Sequence, residues 1–307
     1  MDKQATNQGN SIGVDVSSTR FLAVAIAPDG TQSEIIESQH DDALESLPQL
    51  KEFVASIEGR LGRYGALGIS MPGLVHRATG RVTYSAGFPE HAQFDIAKEI
   101  KDAAGISPAI ENDANAAIYG EFRLGAGRGA NDLFYATIGT GVGGAFIFRG
   151  ELWRGTSGFA GEFGYMAINS DGMRLEDVAS SSNIVRRTQS RFHQDSTTAL
   201  AKFEEKDLTI GEIVKAAINE DDFAALMLER TGRYVGVAIA SVINLLNIER
   251  IVLGGEIIKA GDLILEPIRD RAKELSFGPS FHDAEIVAGE LGDAASALGV
   301  ALIARET

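Results

Sequence analysis

"DLFYATIGTGVGGAFIFRG", residues 132–150, is an apolar run, a turn of glycine and threonine, and a second apolar run. Both runs are short, β-type in composition and bounded by small residues, so the stretch reads as two strands joined by a tight turn. The same grammar stands at residues 11–27, "SIGVDVSSTRFLAVAIA", where "SSTR" separates two β-type runs as a hairpin would. The segments lie roughly 120 residues apart, the pattern expected of a duplicated fold with a ligand between its halves.

Outward from these hairpins, strands alternate with helices. "ALGISM" (66–71) reads as a buried strand ending at Pro72-Gly73, after a helix around residues 41–59. "FDIAKEIKDAAG" (94–105) reads as a helix closed by Gly105, and "PAI" (108–110) as a short strand. "DANAAIYGEFRLG" (113–125) reads as a helix capped by Asn112 or Asp113 and stopped at Gly125. Residues 169–222 are polar and helical in parts, and a long amphipathic helix follows over about 221–248. "RIVLGGEI" (250–257) is a buried strand whose Gly254-Gly255 turn falls at its carboxyl end, where open α/β sheets put ligands. "DAASALGVALIA" (293–304) closes the chain as a helix. The class is α/β.

Composition narrows the function. With 307 residues and 44% hydrophobic content, the chain can fill one large or two medium cores. Its 28 basic and 43 acidic residues leave a net charge of −15, which repels nucleic acid and anionic lipid. A polyanionic ligand must then be held locally, by backbone amides or a metal ion. There are no cysteines, which removes disulfides, thiolate zinc sites and cysteine nucleophiles together. "MDKQATNQGN" lacks the pattern of a signal peptide, and "YVGVAIASVINLLNI" (234–248) is too short to span a bilayer, so a cytoplasmic protein is expected.

Several groups are candidates for chemistry. Asp15 lies on an otherwise apolar strand, where burial demands a partner such as hydrated Mg²⁺ on phosphate, unless the strand end reaches solvent. "GTGVGG" (139–144) exposes successive amides to a phosphate, with the Thr140 hydroxyl as a further donor; no Walker lysine follows. Asp113 reads as a helix cap or as a base that takes the proton of an attacking hydroxyl, and one residue can do both. Phosphoryl transfer rests on positioning and charge, so such a base works with an ordinary carboxylate pKa. Glu162 in "GFAGEFGYM" and Glu176 in "RLEDVASS" either accept hydrogen bonds from a polyol or point at water. His193 and the other histidines have no ligand spacing.

Taken in order, "GISMPGLVHRATGRV", "ENDANAA", "TIGTGVGGAFIFRGELWRGTSGFAGEFGYM", "IVLGGEI" and "LGDAASALGVALIA" resemble the ROK family of repressors, open reading frames and sugar kinases. The resemblance implies two RNase H-like lobes of the actin-like ATPase type with a central cleft. The N-terminal lobe would take residues 11–118 and 294–307, and the C-terminal lobe residues 119–293. It implies that Asp113 is the general base and that Gly73, Asn112, Glu162 and Glu176 bind the sugar, with Tyr165 where the family's signature has histidine. Asp15, Ser18, Thr19, Thr140 and Gly141 would face the ATP phosphates, Asp15 meeting Mg²⁺ through water, and Gly254 and Gly255 would border the nucleotide. Three features depart from the pattern. Ser17-Ser18-Thr19 replaces Gly-Gly-Thr, "NSDGMRLEDVAS" replaces the zinc-binding cysteine loop, and "YSAGFPEH" lacks the family glucokinases' asparagine and tryptophan.

The leading expectation is a cytoplasmic, homodimeric kinase moving the γ-phosphate of ATP to the primary hydroxyl of a hexose, an amino sugar or a carbocyclic analogue. A repressor is disfavoured, because only about ten residues precede the first strand, too few for the DNA-binding helices that family repressors carry. A catalytically silent sugar-binding protein is the other alternative. Retention of Asp113 argues against it.

Overall fold

The computed structural model describes residues 9–192 and 197–307, so His193 lies outside the described residues. The chain divides into two compact units. The first holds residues 9–128, Leu152–Ala160 and Leu291–Thr307; the second holds Gly129–Glu151 and Gly161–Glu290. Their sheets share one plan, as the echoed hairpins predict.

The first unit opens with strands β1 (Asn10–Val16) and β2 (Arg20–Ile26), which pair antiparallel around the "SSTR" turn. β3 (Ile36–Gln39) extends this edge, helix α1 spans Ser46–Leu61, and β4 (Tyr64–Met71) runs parallel to β1. A small ribbon, β5 (Leu74–His76) with β6 (Arg81–Tyr84), precedes α2 (Ile96–Ala104). β7 (Ala109–Asn112) then lies parallel to β4, and α3 (Asp113–Leu124) follows at once. The sheet order is β3-β2-β1-β4-β7.

In the second unit β8 (Leu133–Ile138) and β9 (Val142–Phe148) form the expected hairpin, and β10 is Glu151–Trp153. Helices α4 (Glu176–Ala179), α5 (Ser181–Phe192), α6 (Ile210–Ile218) and α7 (Asp222–Leu246) fill the polar middle. β11 (Arg250–Gly254), α8 (Asp262–Leu275), α9 (Gly278–His282) and β12 (Glu285–Ala288) complete the order β10-β9-β8-β11-β12, with β11 parallel to both β8 and β12. The chain returns to the first unit as α10 (Ala295–Glu306). Among the described residues no helix is long and apolar enough to cross a membrane.

One helix differs from expectation. α1 starts at Ser46 rather than near residue 41, because Asp41 holds a turn: its Oδ1 accepts the Ala43 amide and its carbonyl the Leu44 amide. The Asp113 helix resolves the other way. Its cap is Asn112, whose Oδ1 accepts the Asn115 amide at 3.0 Å, and β7 runs two residues past "PAI" to reach it.

Alternation along β1 and β4 sorts the first sheet into two unlike faces. Ile12, Val14, Leu67, Ile69 and Met71 pack with Leu50, Phe53 and Ile57 of α1 and Ile100 of α2. The opposite face carries Gly13 and Gly68, and α10 lies there at backbone contact. A Cβ on Gly13 would stand 1.8 Å from the Ala297 oxygen, and one on Gly68 2.2 Å from the Val300 oxygen. α10 meets α3 equally closely, a Cβ on Gly299 falling 1.7 Å from the Ala116 oxygen. Main-chain atoms cannot yield as side chains can. Gly299→Ala is therefore expected to destabilise the fold by about 1–3 kcal/mol or more, read as a lowered thermal midpoint, whereas Gly59→Ala, where nothing lies within 4 Å, should be stable or slightly stabilised.

Candidate active site

The carboxyl end of the first sheet gathers acids on the face that α10 covers. Asp15 of β1, Ser70 of β4 and Glu111 of β7 are register partners in one row. Ser70 Oγ donates to Asp15 Oδ1 at 2.6 Å. Asp113 stands one step beyond, at the first position of α3, where its Oδ1 accepts from the Ala114 amide at 2.9 Å. Ser296 of α10 donates to the Asp113 carbonyl at 3.1 Å, fixing its backbone as well.

Burial dominates the electrostatics. The Asp113 carboxyl rises from 3.8 to about 7, first by burial and then by the nearby Asp15 charge, against hydrogen bonds from Ala114 and Asn112. Asp15 rises from 3.8 to about 6, mainly by burial, with Ser70 and Arg20 opposing. Asp113 thus departs from the ordinary carboxylate pKa that the sequence allowed, because two acids share a poorly solvated corner.

Asn112 and Gly73 sit beside this pair. Asn112 Nδ2 donates to the Gly73 carbonyl at 2.9 Å and to Asp113 Oδ1 at 2.8 Å, which uses both its protons. With Oδ1 serving as helix cap, one lone pair of that amide remains for an outside partner. Gly73 has φ +111°, and a Cβ there would stand 2.2 Å from the Tyr84 carbonyl oxygen, so only glycine fits. In the hairpin turn, Ser17 Oγ donates to the Arg20 carbonyl at 2.9 Å and accepts from the Arg20 amide, leaving Ser18 and Thr19 at the tip.

Sequence reasoning gave no role to four residues here. Arg20 pairs with Glu37 and Asp293, at 3.0 Å each, and its charge bears on Asp15. Ser70 was legible only as part of an apolar run. Glu111, buried, receives Arg154 through Nε at 2.7 Å and Nη2 at 2.6 Å, although 43 residues separate the two.

The second unit brings its own candidates together. Thr140 and Gly141 form the exposed tip between β8 and β9, closed by Gly139 N–H donating to the Gly141 carbonyl. The Gly254-Gly255 turn packs directly against it. Gly255 has φ +97°, and a Cβ there would stand 2.2 Å from the Ile138 carbonyl, while one on Gly254 would strike the Tyr135 hydroxyl at 2.0 Å. Glu176 Oε2 accepts the Val142 amide at 2.9 Å, so one of its oxygens braces the turn. Glu162 is held above the usual carboxylate range, first by desolvation and then by the Glu176 charge. Tyr165 is exposed, with the Arg174 guanidinium 4.7 Å from its ring centroid.

A family model described as "ROK family" matches residues 11–307. The chain belongs to the ROK family. It is 30% identical to a glucokinase of Thermotoga maritima over 313 residues, covering 96% of this chain and 97% of that protein. It is 27% identical to a xylose repressor of Bacillus spizizenii, covering 97% of this chain and 77% of the repressor. A ROK family glucokinase from Streptomyces griseus, solved with glucose and AMPPNP, matches at TM-score 0.86 and 27% identity over 97% of this chain and 100% of that one. The ROK chain described here has the mixed α/β, actin-like ATPase fold expected of it.

The raised Asp113 pKa has a defined sign in stability. The folded state holds this proton up to about pH 7 and the unfolded state only to 3.8, so stability falls as pH rises between them. Asp113→Asn keeps an acceptor at Oδ1 and cannot ionise. Its melting temperature should exceed wild type at pH 8, by stability on the order of a few kcal/mol, and the gap should close below pH 4.

Proposed function

We propose that this chain is an ATP-dependent sugar kinase that phosphorylates the primary hydroxyl of a hexose or hexose-like polyol, with Asp113 as general base. The observation that carries the reading is the half-buried Asp113 carboxylate at the head of α3, held above the usual carboxylate range by desolvation and standing beside Asp15 at the carboxyl end of the sheet. The glucokinase relatives, matched nearly end to end, support the reaction class.

In this reading Asp113 takes the hydroxyl proton as the oxygen attacks the γ-phosphorus, the bond to the bridging oxygen breaks, and ADP leaves. Asn112 holds the base, and Gly73, Glu162, Tyr165 and Glu176 belong to the acceptor's surroundings. Thr140, Gly141, Gly254 and Gly255 offer amides and open backbone to the nucleotide, with Ser18 and Thr19 at the other hairpin turn. The donor set also fits Mg²⁺: Ser70 occupies only Oδ1 of Asp15, and small hard cations favour carboxylate oxygens and retained waters. Bound there, the metal would neutralise phosphate charge as it develops. With no cysteine in the chain, a thiolate zinc loop has no place in the proposal.

A panel of hexoses, amino sugars and carbocyclic polyols with Mg-ATP tests the function directly. Binding of one panel member by calorimetry without any ADP release would replace the kinase with a silent sugar binder. Asp113→Asn is expected to lower kcat by about 100-fold to 10,000-fold while sugar affinity changes little. For wild type, kcat/KM should rise with pH and level off above an apparent pKa of about 7 that belongs to the Asp15–Asp113 pair.

A further inference from the structure

We infer that Arg154 is a positioning residue for the base, acting through Glu111. The inference rests on the proposed role of Asp113 and concerns residues that role does not require.

Glu111 is 5% exposed, and every direction around its carboxylate is occupied. Oε1 accepts the Asn112 amide and Asn115 Nδ2, both at 3.0 Å; Oε2 accepts Arg154 Nε and Nη2. The two donors on Oε1 come from the cap and the first turn of α3. Asn112, so held, donates in turn to Asp113 Oδ1. A continuous path of hydrogen bonds therefore runs from the guanidinium to the base.

Arg154 is itself firmly mounted. It lies in Leu152–Ala160, a segment that belongs to the first unit although the chain on either side belongs to the second. Arg77 N–H donates to the Ser157 carbonyl at 2.9 Å, and a Cβ on Gly158 would stand 2.3 Å from the Val75 oxygen, so the segment rests on β5 and its turn. His76 and Phe159 add an edge-on ring contact at 6.1 Å.

Removing the guanidinium leaves a buried negative charge without its counter-ion, beside Asp113 and Asp15. Such a carboxylate must draw in water, which turns it away from the donors on Oε1. The cap then loosens and the base drifts. Displacements of about 1 Å in a reacting group lower turnover by up to about 100-fold.

The test compares Arg154→Met, Arg154→Lys and Arg154→Met/Glu111→Gln with wild type and Asp113→Asn, by ADP release from Mg-ATP with D-glucose. Arg154→Met should lower kcat about 10–100-fold with KM for both substrates within about threefold. Arg154→Lys, which restores charge without the planar fork, should recover part of the loss. The double variant should turn over faster than Arg154→Met, because no buried charge is left unpaired. A folded Arg154→Met with kcat within about twofold of wild type, or a double variant no faster than it, overturns the inference. Where Arg154→Met melts below the assay temperature, the double variant decides alone: wild-type kcat overturns the inference, and a tenfold loss sustains it. Asp113→Asn separates the two readings. If that variant keeps wild-type turnover the base assignment fails, and if it is inactive while Arg154→Met is unimpaired only the role of Arg154 falls.

Discussion

Main chain lies directly on main chain where α10 crosses the first sheet and α3, and the rest of the first unit depends on that contact. Glycines at 13, 68 and 299 leave no side chain between the layers. The approach sets the height of α3 above the sheet. It also puts Ser296 within reach of the Asp113 carbonyl. A bulkier interface would lift α3 and open that corner to solvent, and the desolvation that raises Asp113 would be lost with it.

Opposing effects meet at this corner. The amino terminus of α3 and two hydrogen bonds favour the charged form of Asp113, while burial and the neighbouring Asp15 favour the neutral one. Burial wins, and the result is a group near neutrality rather than a strongly acidic one. Asp15 has more help from its surroundings, through Ser70 and Arg20, and settles lower, at about 6. Two carboxylates of the same chemistry are separated in their proton affinity by what each touches.

Local signals carried much of this into the sequence. Both hairpins, the parallel strand ending at Gly254 and the closing helix stand where composition and periodicity place them. Asp113 was legible as a helix start, although the choice of Asn112 as cap needed coordinates. What could not be read depends on distance. The pairing of Glu111 with Arg154 joins positions 43 apart, and no local pattern links the two. The Asp113 main chain is likewise tied to α10, through Ser296, 183 residues downstream. The start of α1 departs from the periodicity for a local reason instead, a side-chain turn at Asp41 that competes with helix in ways periodicity does not register.

The route of the chain has a consequence for biosynthesis. A ribosome completes every residue of the second unit before it makes Leu291–Thr307, which the first unit needs. During elongation the glycine-bearing face of the first sheet stays uncovered until Leu291–Thr307 is made to seal it. The unit begun first is therefore completed after the second, and any stall in translation before Leu291–Thr307 would leave it an open half-sandwich for chaperones to shield.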